Sequence, residues 1–109
     1  MANNYKNAKV DLTGTGATVL YTAPNATTTL IKSLLVSEDS GNADTITVTI
    51  TDAASSPATF SLFKVKAVGA NATVELLTQP LVVQEGEIIK VTAATGNRLH
   101  VVASLLEIS

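Results

Sequence analysis

The sequence predicts an all-β protein, a two-sheet antiparallel β-sandwich for which a jelly roll is one candidate topology. Threonine and other β-branched residues are abundant, and such side chains pack well on a pleated sheet. Apolar and polar residues alternate with a period of two in several segments. Turn-forming residues recur at intervals of roughly 8–12 residues, which is typical of sandwiches and small barrels.

About eight short strands lie between these turn signals. The alternation is clearest from Thr45 to Thr51, where Ile46, Val48 and Ile50 point to one face and the threonines to the other. The other predicted strands are 17–22, 28–37, 58–65, 72–77, 81–83, 88–93 and 99–108, with 6–12 as an edge strand. We expect one domain over residues 1–109, with residues 1–16 as an N-terminal arm or edge strand.

The low charge content predicts contact with other protein chains. Only 15% of the 109 residues are charged, against roughly 25% in an average soluble domain, and the mean hydropathy is +0.33. Because monomers rarely expose large apolar patches, the apolar excess is expected in subunit contacts. The seven basic residues are scattered and the net charge is -2, so nucleic-acid binding is not expected.

Targeting and redox features are absent from the sequence pattern. The polar start of the chain does not resemble a signal peptide, and no run of about 18 apolar residues predicts a membrane span. We therefore expect synthesis in the cytoplasm and no membrane partner. The chain has no cysteine, which excludes disulfides, thiolate metal sites and cysteine nucleophiles.

Two predicted strands carry large apolar residues on both faces, at 30–36 and 99–108. A strand of this kind is buried on both sides. Either a loop of the same chain covers the second face or a neighbouring chain does, and the low charge content favours the neighbouring chain. We predict an interface with a neighbouring subunit or another protein chain at Leu34, Val36, Val102 and Leu106.

The sequence offers no set of residues for catalysis. His100, the one histidine, has no carboxylate nearby in sequence to orient it, which favours a packing or interface role over that of a general base. The chain has no G-x-S-x-G motif and no evident nucleophile–base pair. We therefore predict that the protein is not an enzyme and that it has no catalytic residues.

Metal and cofactor sites are not predicted. Asp39, Asn42 and Asp44 form the best candidate for a calcium loop, but the loop lacks the ladder and the terminal glutamate of an EF-hand. Aspartate and asparagine are also common in ordinary turns, because their side chains bond to the local backbone. An ordinary turn is the favoured interpretation, and calcium binding is left open.

Several segments together resemble a known group of phage proteins. They are 1–5, 18–24, 29–37, 81–83, 85–93 and 102–108. In these segments the chain resembles small virion proteins of tailed phages, especially phages of cyanobacteria and marine bacteria. The resemblance implies a capsid-bound or tail-bound β-sandwich that forms a homo-oligomer, often a trimer, without catalytic residues.

These observations predict a capsid decoration (cement) protein. It would bind the major capsid protein on the capsid surface of the virion and would stabilise the head by protein–protein packing. The alternative is a tail, baseplate or fibre-associated module that binds a host surface glycan. Glycan binding would favour exposed aromatic residues or a calcium site, and only 4% of the residues are aromatic.

Overall fold

The computed structural model describes residues 3–109 of the chain. This part of the protein forms nine β-strands and no helix. The strands are β1 (Asn3–Leu12), β2 (Thr18–Thr22), β3 (Thr28–Glu38), β4 (Asp44–Thr51), β5 (Thr59–Val68), β6 (Thr73–Glu75), β7 (Leu81–Val83), β8 (Ile88–Ala93) and β9 (Leu99–Ile108).

The strands make two antiparallel sheets with the connectivity of a jelly roll. Sheet 1 has the order β1-β9-β3, with the short strands β6 and β7 both paired to β3. Sheet 2 has the order β2-β8-β4-β5. When β6 and β7 are counted as one interrupted strand, these are the two four-stranded sheets of an eight-stranded jelly roll. The predicted β-sandwich is confirmed.

The hydrophobic core lies between the sheets and follows from the period-two alternation. In β4, Ile46 and Val48 are fully buried, while the threonines that alternate with them are only partly covered. In β9, Val101, Ala103 and Leu105 are buried on the inner side. Each valine, leucine or isoleucine side chain removed from water in this way contributes roughly 1.5–3 kcal/mol.

A register shift in β3 changes which side chains face the core. The shift lies between Ile31 and Ser33. Before it, Ile31 is buried, and after it Leu34 and Val36 are buried, so the inward positions change from odd to even numbers. The carboxylate of Glu75 lies beside this irregularity and accepts hydrogen bonds from the Leu34 backbone N–H at 2.7 Å and from the Ser33 hydroxyl.

Glu38, at the end of β3, joins two loops through its buried carboxylate. It accepts hydrogen bonds from the backbone N–H groups of Ser40 (2.7 Å), Gly41 (3.0 Å) and Asn71 (2.9 Å), and from the Ser40 hydroxyl. Burial by itself would raise the pKa of Glu38, but these donors favour the charged carboxylate and together lower its pKa to about 2.

The lowered pKa of Glu38 predicts loss of stability in acid. Its ordinary value is 4.5, so the stabilisation is complete above that pH and is lost as the pH falls from 4.5 toward 2. Hydrogen bonds lower the pKa of Glu75 and Glu107 as well, so both act in the same direction. We expect the urea midpoint to fall over this range, and Glu38→Gln to be less stable near neutral pH but less sensitive to acid. An equally steep acid dependence in Glu38→Gln would contradict the assignment.

Candidate interface on the outer face of sheet 1

The outer face of sheet 1 carries an apolar row that crosses the sheet. In the pairing registers, Tyr5 of β1 lies opposite Leu106 of β9, Leu106 opposite Leu30 of β3, and Leu30 opposite Val82 of β7. Side chains directly opposite each other in an antiparallel pair point to the same face. Tyr5 is 75% exposed and Val82 48% exposed, and the two leucines between them are partly covered.

A second row on the same face is apolar at its centre and charged at its ends. Lys9 lies opposite Val102, Val102 opposite Leu35, and Leu35 opposite Glu75. Leu35 is 38% exposed and Val102 is partly exposed. The two rows together make the surface that we call the sheet 1 face: Tyr5, Leu30, Leu35, Val82, Val102 and Leu106.

A lysine lies next to the aromatic end of this surface. The Lys32 ammonium is 5.7 Å from the centroid of the Tyr5 ring, close enough for a cation–π interaction. Such contacts contribute about 0.5–1 kcal/mol at exposed positions. The pair therefore helps to hold the exposed Tyr5 ring in place on the sheet 1 face.

The outer face of sheet 2 has a different chemical character. The threonines of β4 line it, with Lys90 and Thr92 of β8 beside them in register. The other exposed large apolar residues of residues 3–109 are Val19, Phe60 and Val65, and they lie on the edge strands β2 and β5. The central strands of sheet 2 thus present hydroxyl groups where those of sheet 1 present leucine and valine.

The four residues predicted as an interface divide into two pairs. Leu34 and Val36 are fully buried between the sheets, so their side chains form the core and have no free surface for a partner. Val102 and Leu106 lie on the sheet 1 face, where interface formation stays a prediction. The four predicted residues do not include Tyr5, Leu30, Leu35 or Val82. Leu30 and Leu35 lie in a segment recognised as apolar on both faces, but only the strand pairing places Tyr5 and Val82 beside them.

His100 has two carboxylates beside it that are remote in sequence. Its Nε2 is 3.2 Å from Asp11 Oδ1, and its Nδ1 is 3.4 Å from Asp39 Oδ2. The absence of a nearby carboxylate in the sequence was therefore a poor guide to the surroundings of this residue. Both ring nitrogens face carboxylates, so His100 lies between β1 and the loop after β3 on the exposed side of β9.

The candidate calcium loop, for which an ordinary turn was the favoured interpretation, directs its two aspartates to different partners. Asp39 faces His100, whereas Asp44 accepts hydrogen bonds from the backbone N–H groups of Thr45 (2.8 Å) and Thr95 (3.1 Å). Within residues 3–109 there is no group of three His, Asp or Glu residues placed to hold a metal ion. That same part of the chain has no helix long and apolar enough to cross a membrane.

A buried polar network fixes the far end of β9. The Tyr21 hydroxyl donates to Glu107 Oε2 at 2.6 Å and lies 2.7 Å from Thr29 Oγ1, and Lys6 Nζ is 3.2 Å from Glu107 Oε1. Burial and the contact with Glu107 raise the pKa of Tyr21 to about 12, while the Tyr21 hydroxyl and Lys6 lower the pKa of Glu107. The network joins both sheets and anchors β1 at its first half.

Comparison with known proteins leaves the fold as the basis of classification. No protein-family model and no curated protein matches the chain. It is similar to a chain in the structure of infectious bursal disease virus, Gt strain, with a TM-score of 0.46 and 11% sequence identity. The match covers 98% of this chain and 30% of the viral chain. The strand order itself therefore defines the class, which is a β-sandwich protein with jelly-roll topology.

Proposed function

We propose that the chain is a structural protein of a tailed-phage virion that decorates the capsid and stabilises it by packing against the major capsid protein. The observation that carries the proposal is the sheet 1 face. Jelly rolls occur in viral capsids and in lectins, so the topology alone does not select a function. The apolar rows favour protein packing, because monomers rarely expose large contiguous apolar patches.

The segments that resemble phage virion proteins contribute to this surface. Residues 29–37 lie in β3 and residues 102–108 in β9, the two central strands of sheet 1. The first segment contributes Leu30 and Leu35 to the sheet 1 face. The second contributes Val102 and Leu106. The resemblance also implies a homo-oligomer, often a trimer, and this remains a prediction.

Decoration requires broad and repeated contact, with no need for a reactive group. A standard interface buries about 1,600 Å² in total with an apolar centre and a polar rim. One row of the sheet 1 face has an apolar centre and charged ends, since Lys9 and Glu75 flank Val102 and Leu35. On a symmetric shell, many modest contacts of this kind act together through multivalency.

Glycan binding, the alternative from the sequence, finds less support. A sugar ring usually stacks on exposed aromatic side chains. Tyr5 and Phe60 are the two well-exposed aromatic residues of residues 3–109, and they belong to different sheets. They cannot form one platform.

The proposal predicts that charge on the sheet 1 face abolishes capsid binding. Leu35 and Val82 are exposed enough to be replaced by lysine without disturbing the core. We expect Leu35→Lys/Val82→Lys to bind genome-free heads of the encoding phage at least roughly tenfold more weakly in co-sedimentation, since central apolar contacts dominate an interface.

The matched control places the same charges on the outer face of sheet 2. Thr45→Lys/Thr92→Lys should bind the heads as the unmodified protein does. The proposal fails if the unmodified protein does not bind, or if the two double variants bind equally well. Circular dichroism spectra of all three proteins establish that they are folded alike.

A further inference from the structure

The strand edges of the two sheets are protected unequally. Unpaired backbone groups at an edge can pair with another chain, and proteins usually prevent this with short strands, bulges, prolines or charges. Within residues 3–109, β2 is five residues long and has a register shift between Val19 and Tyr21. β5 has two register shifts, and Val65 in it has a positive φ of 52°. The outer edge formed by β6 and β7 is interrupted, with Pro80 in the gap.

β1 lacks most of these protective features. It is ten residues long and mostly exposed, it contains no proline, and its pairing with β9 runs from Asn3 to Leu12 without a register shift. Its other side pairs with no strand of the described chain. Lys6 and Lys9 are its two cationic residues, and Lys6 already forms an ion pair with Glu107 of its own chain.

We infer that β1 of a second copy pairs antiparallel with this edge, about a two-fold axis at Ala8. Ala8 would lie opposite its symmetry mate, and Tyr5 would lie opposite Asp11 of the partner subunit. The contact would be isologous, as in most protein dimers, because each β1 offers the same backbone groups to the other. The two copies of sheet 1 would become one continuous sheet with backbone hydrogen bonds across the axis.

The charged side chains favour this register over the other registers that pair most of β1. An axis at Lys6 or at Lys9 would place a lysine directly opposite a lysine, which is unfavourable. An axis at Asn7 would place Lys9 of the partner subunit opposite Tyr5, where Lys32 already lies. With the axis at Ala8, the carboxylate of Asp11 of the partner subunit lies beside the Tyr5–Lys32 pair. No lysine lies opposite another lysine.

The inference is independent of the proposed capsid role. It concerns the edge of sheet 1, whereas capsid binding was assigned to the sheet 1 face. The tests separate the capsid role from the dimer, because Leu35→Lys/Val82→Lys changes the sheet 1 face and leaves the β1 edge unchanged. A two-fold pair also differs from the trimer implied by the resemblance, so the oligomeric state distinguishes the two.

The absence of cysteine from the chain makes cross-linking a direct test. Directly opposite residues in an antiparallel pair have Cα atoms about 4.5–5.5 Å apart, within the range that a disulfide spans. We expect a dimer in sedimentation equilibrium and efficient disulfide dimers of Ala8→Cys under mild oxidation. In case this change disturbs packing, a mixture of Asn7→Cys and Lys9→Cys should also cross-link, because residues 7 and 9 lie opposite each other in this register.

The control cysteine is Ser61→Cys, on the protected edge strand β5, which should stay monomeric on a non-reducing gel. Asn7→Lys adds a lysine opposite Lys9 of the partner subunit and should shift the equilibrium toward monomer, whereas Ser61→Lys should not. Sedimentation as a monomer or a trimer at all concentrations overturns the inference. A dimer also overturns the inference if neither Ala8→Cys nor the mixture of Asn7→Cys and Lys9→Cys cross-links more efficiently than Ser61→Cys.

Discussion

Replacement of Leu34 by alanine is expected to lower the free energy of unfolding by about 2–5 kcal/mol. Leu34 is fully buried between the two sheets, next to the register shift of β3. Truncation there removes apolar contacts and leaves a cavity that the surrounding strands cannot fill completely. Urea denaturation monitored by circular dichroism measures the change.

The neighbouring residue provides a matched control. Leu35 has the same side chain and lies on the same strand, but it is 38% exposed on the sheet 1 face. Leu35→Ala should cost less than about 1 kcal/mol, as is usual for surface changes. Equal losses from the two variants would contradict the inside–outside assignment of β3, and a larger loss from Leu35→Ala would reverse it.

A second large effect is expected from Gly96→Ala. Gly96 lies in the turn between β8 and β9, where a Cβ atom would be 2.4 Å from the backbone oxygen of Thr13. The contact cannot be relieved by rotating a side chain, since the opposing atom belongs to the backbone. The same turn holds the end of β1 through the Asn97 N–H, which donates to the Leu12 carbonyl at 2.9 Å. We expect a loss of about 1–3 kcal/mol from the forced backbone shift.

Gly14→Ala is the control for this substitution. Gly14 lies on the facing loop, has no positive φ, and a Cβ added there would meet nothing within 4 Å. Its replacement should change stability by no more than about 0.5 kcal/mol, with a small gain expected from the reduced entropy of the unfolded chain. Thermal melts of the two variants measure the difference in stability. A Gly96→Ala protein as stable as Gly14→Ala would rule out the close approach of the two turns.

The sequence was sufficient to predict the strands and the fold class. The predicted strands 81–83, 88–93 and 99–108 coincide with β7, β8 and β9, and 28–37 differs from β3 by one residue. These segments combine β-branched residues with clear turn signals at their ends. The predicted strand 72–77 is shorter in the structure, where β6 ends at Glu75. Glu75 turns its carboxylate back onto β3 there, an interaction that no local pattern predicts.

The faces of the strands were harder to predict than their positions. In β3 both faces are apolar, so alternation alone does not say which face is inside, and the shift after Ile31 reverses the assignment along the strand. Leu34 and Val36 were therefore grouped with Val102 and Leu106, although the first pair faces the core and the second pair faces outward.

Contacts between distant residues were beyond the sequence patterns. His100 acquires Asp11 and Asp39 as neighbours only because β1 and the loop after β3 lie on either side of β9. The row from Tyr5 to Val82 likewise depends on the register of four strands. Register is set by the packing of the whole sandwich.

Electron microscopy of the phage particle to which we propose to assign the chain tests the proposed capsid role most directly. If the account is right, density for this chain lies on the outside of the head, with Leu35, Val82 and Leu106 against the capsid protein and the threonines of β4 facing solvent. A chain that is absent from the particle, or that turns its threonine face to the shell and leaves these apolar rows in water, would contradict it.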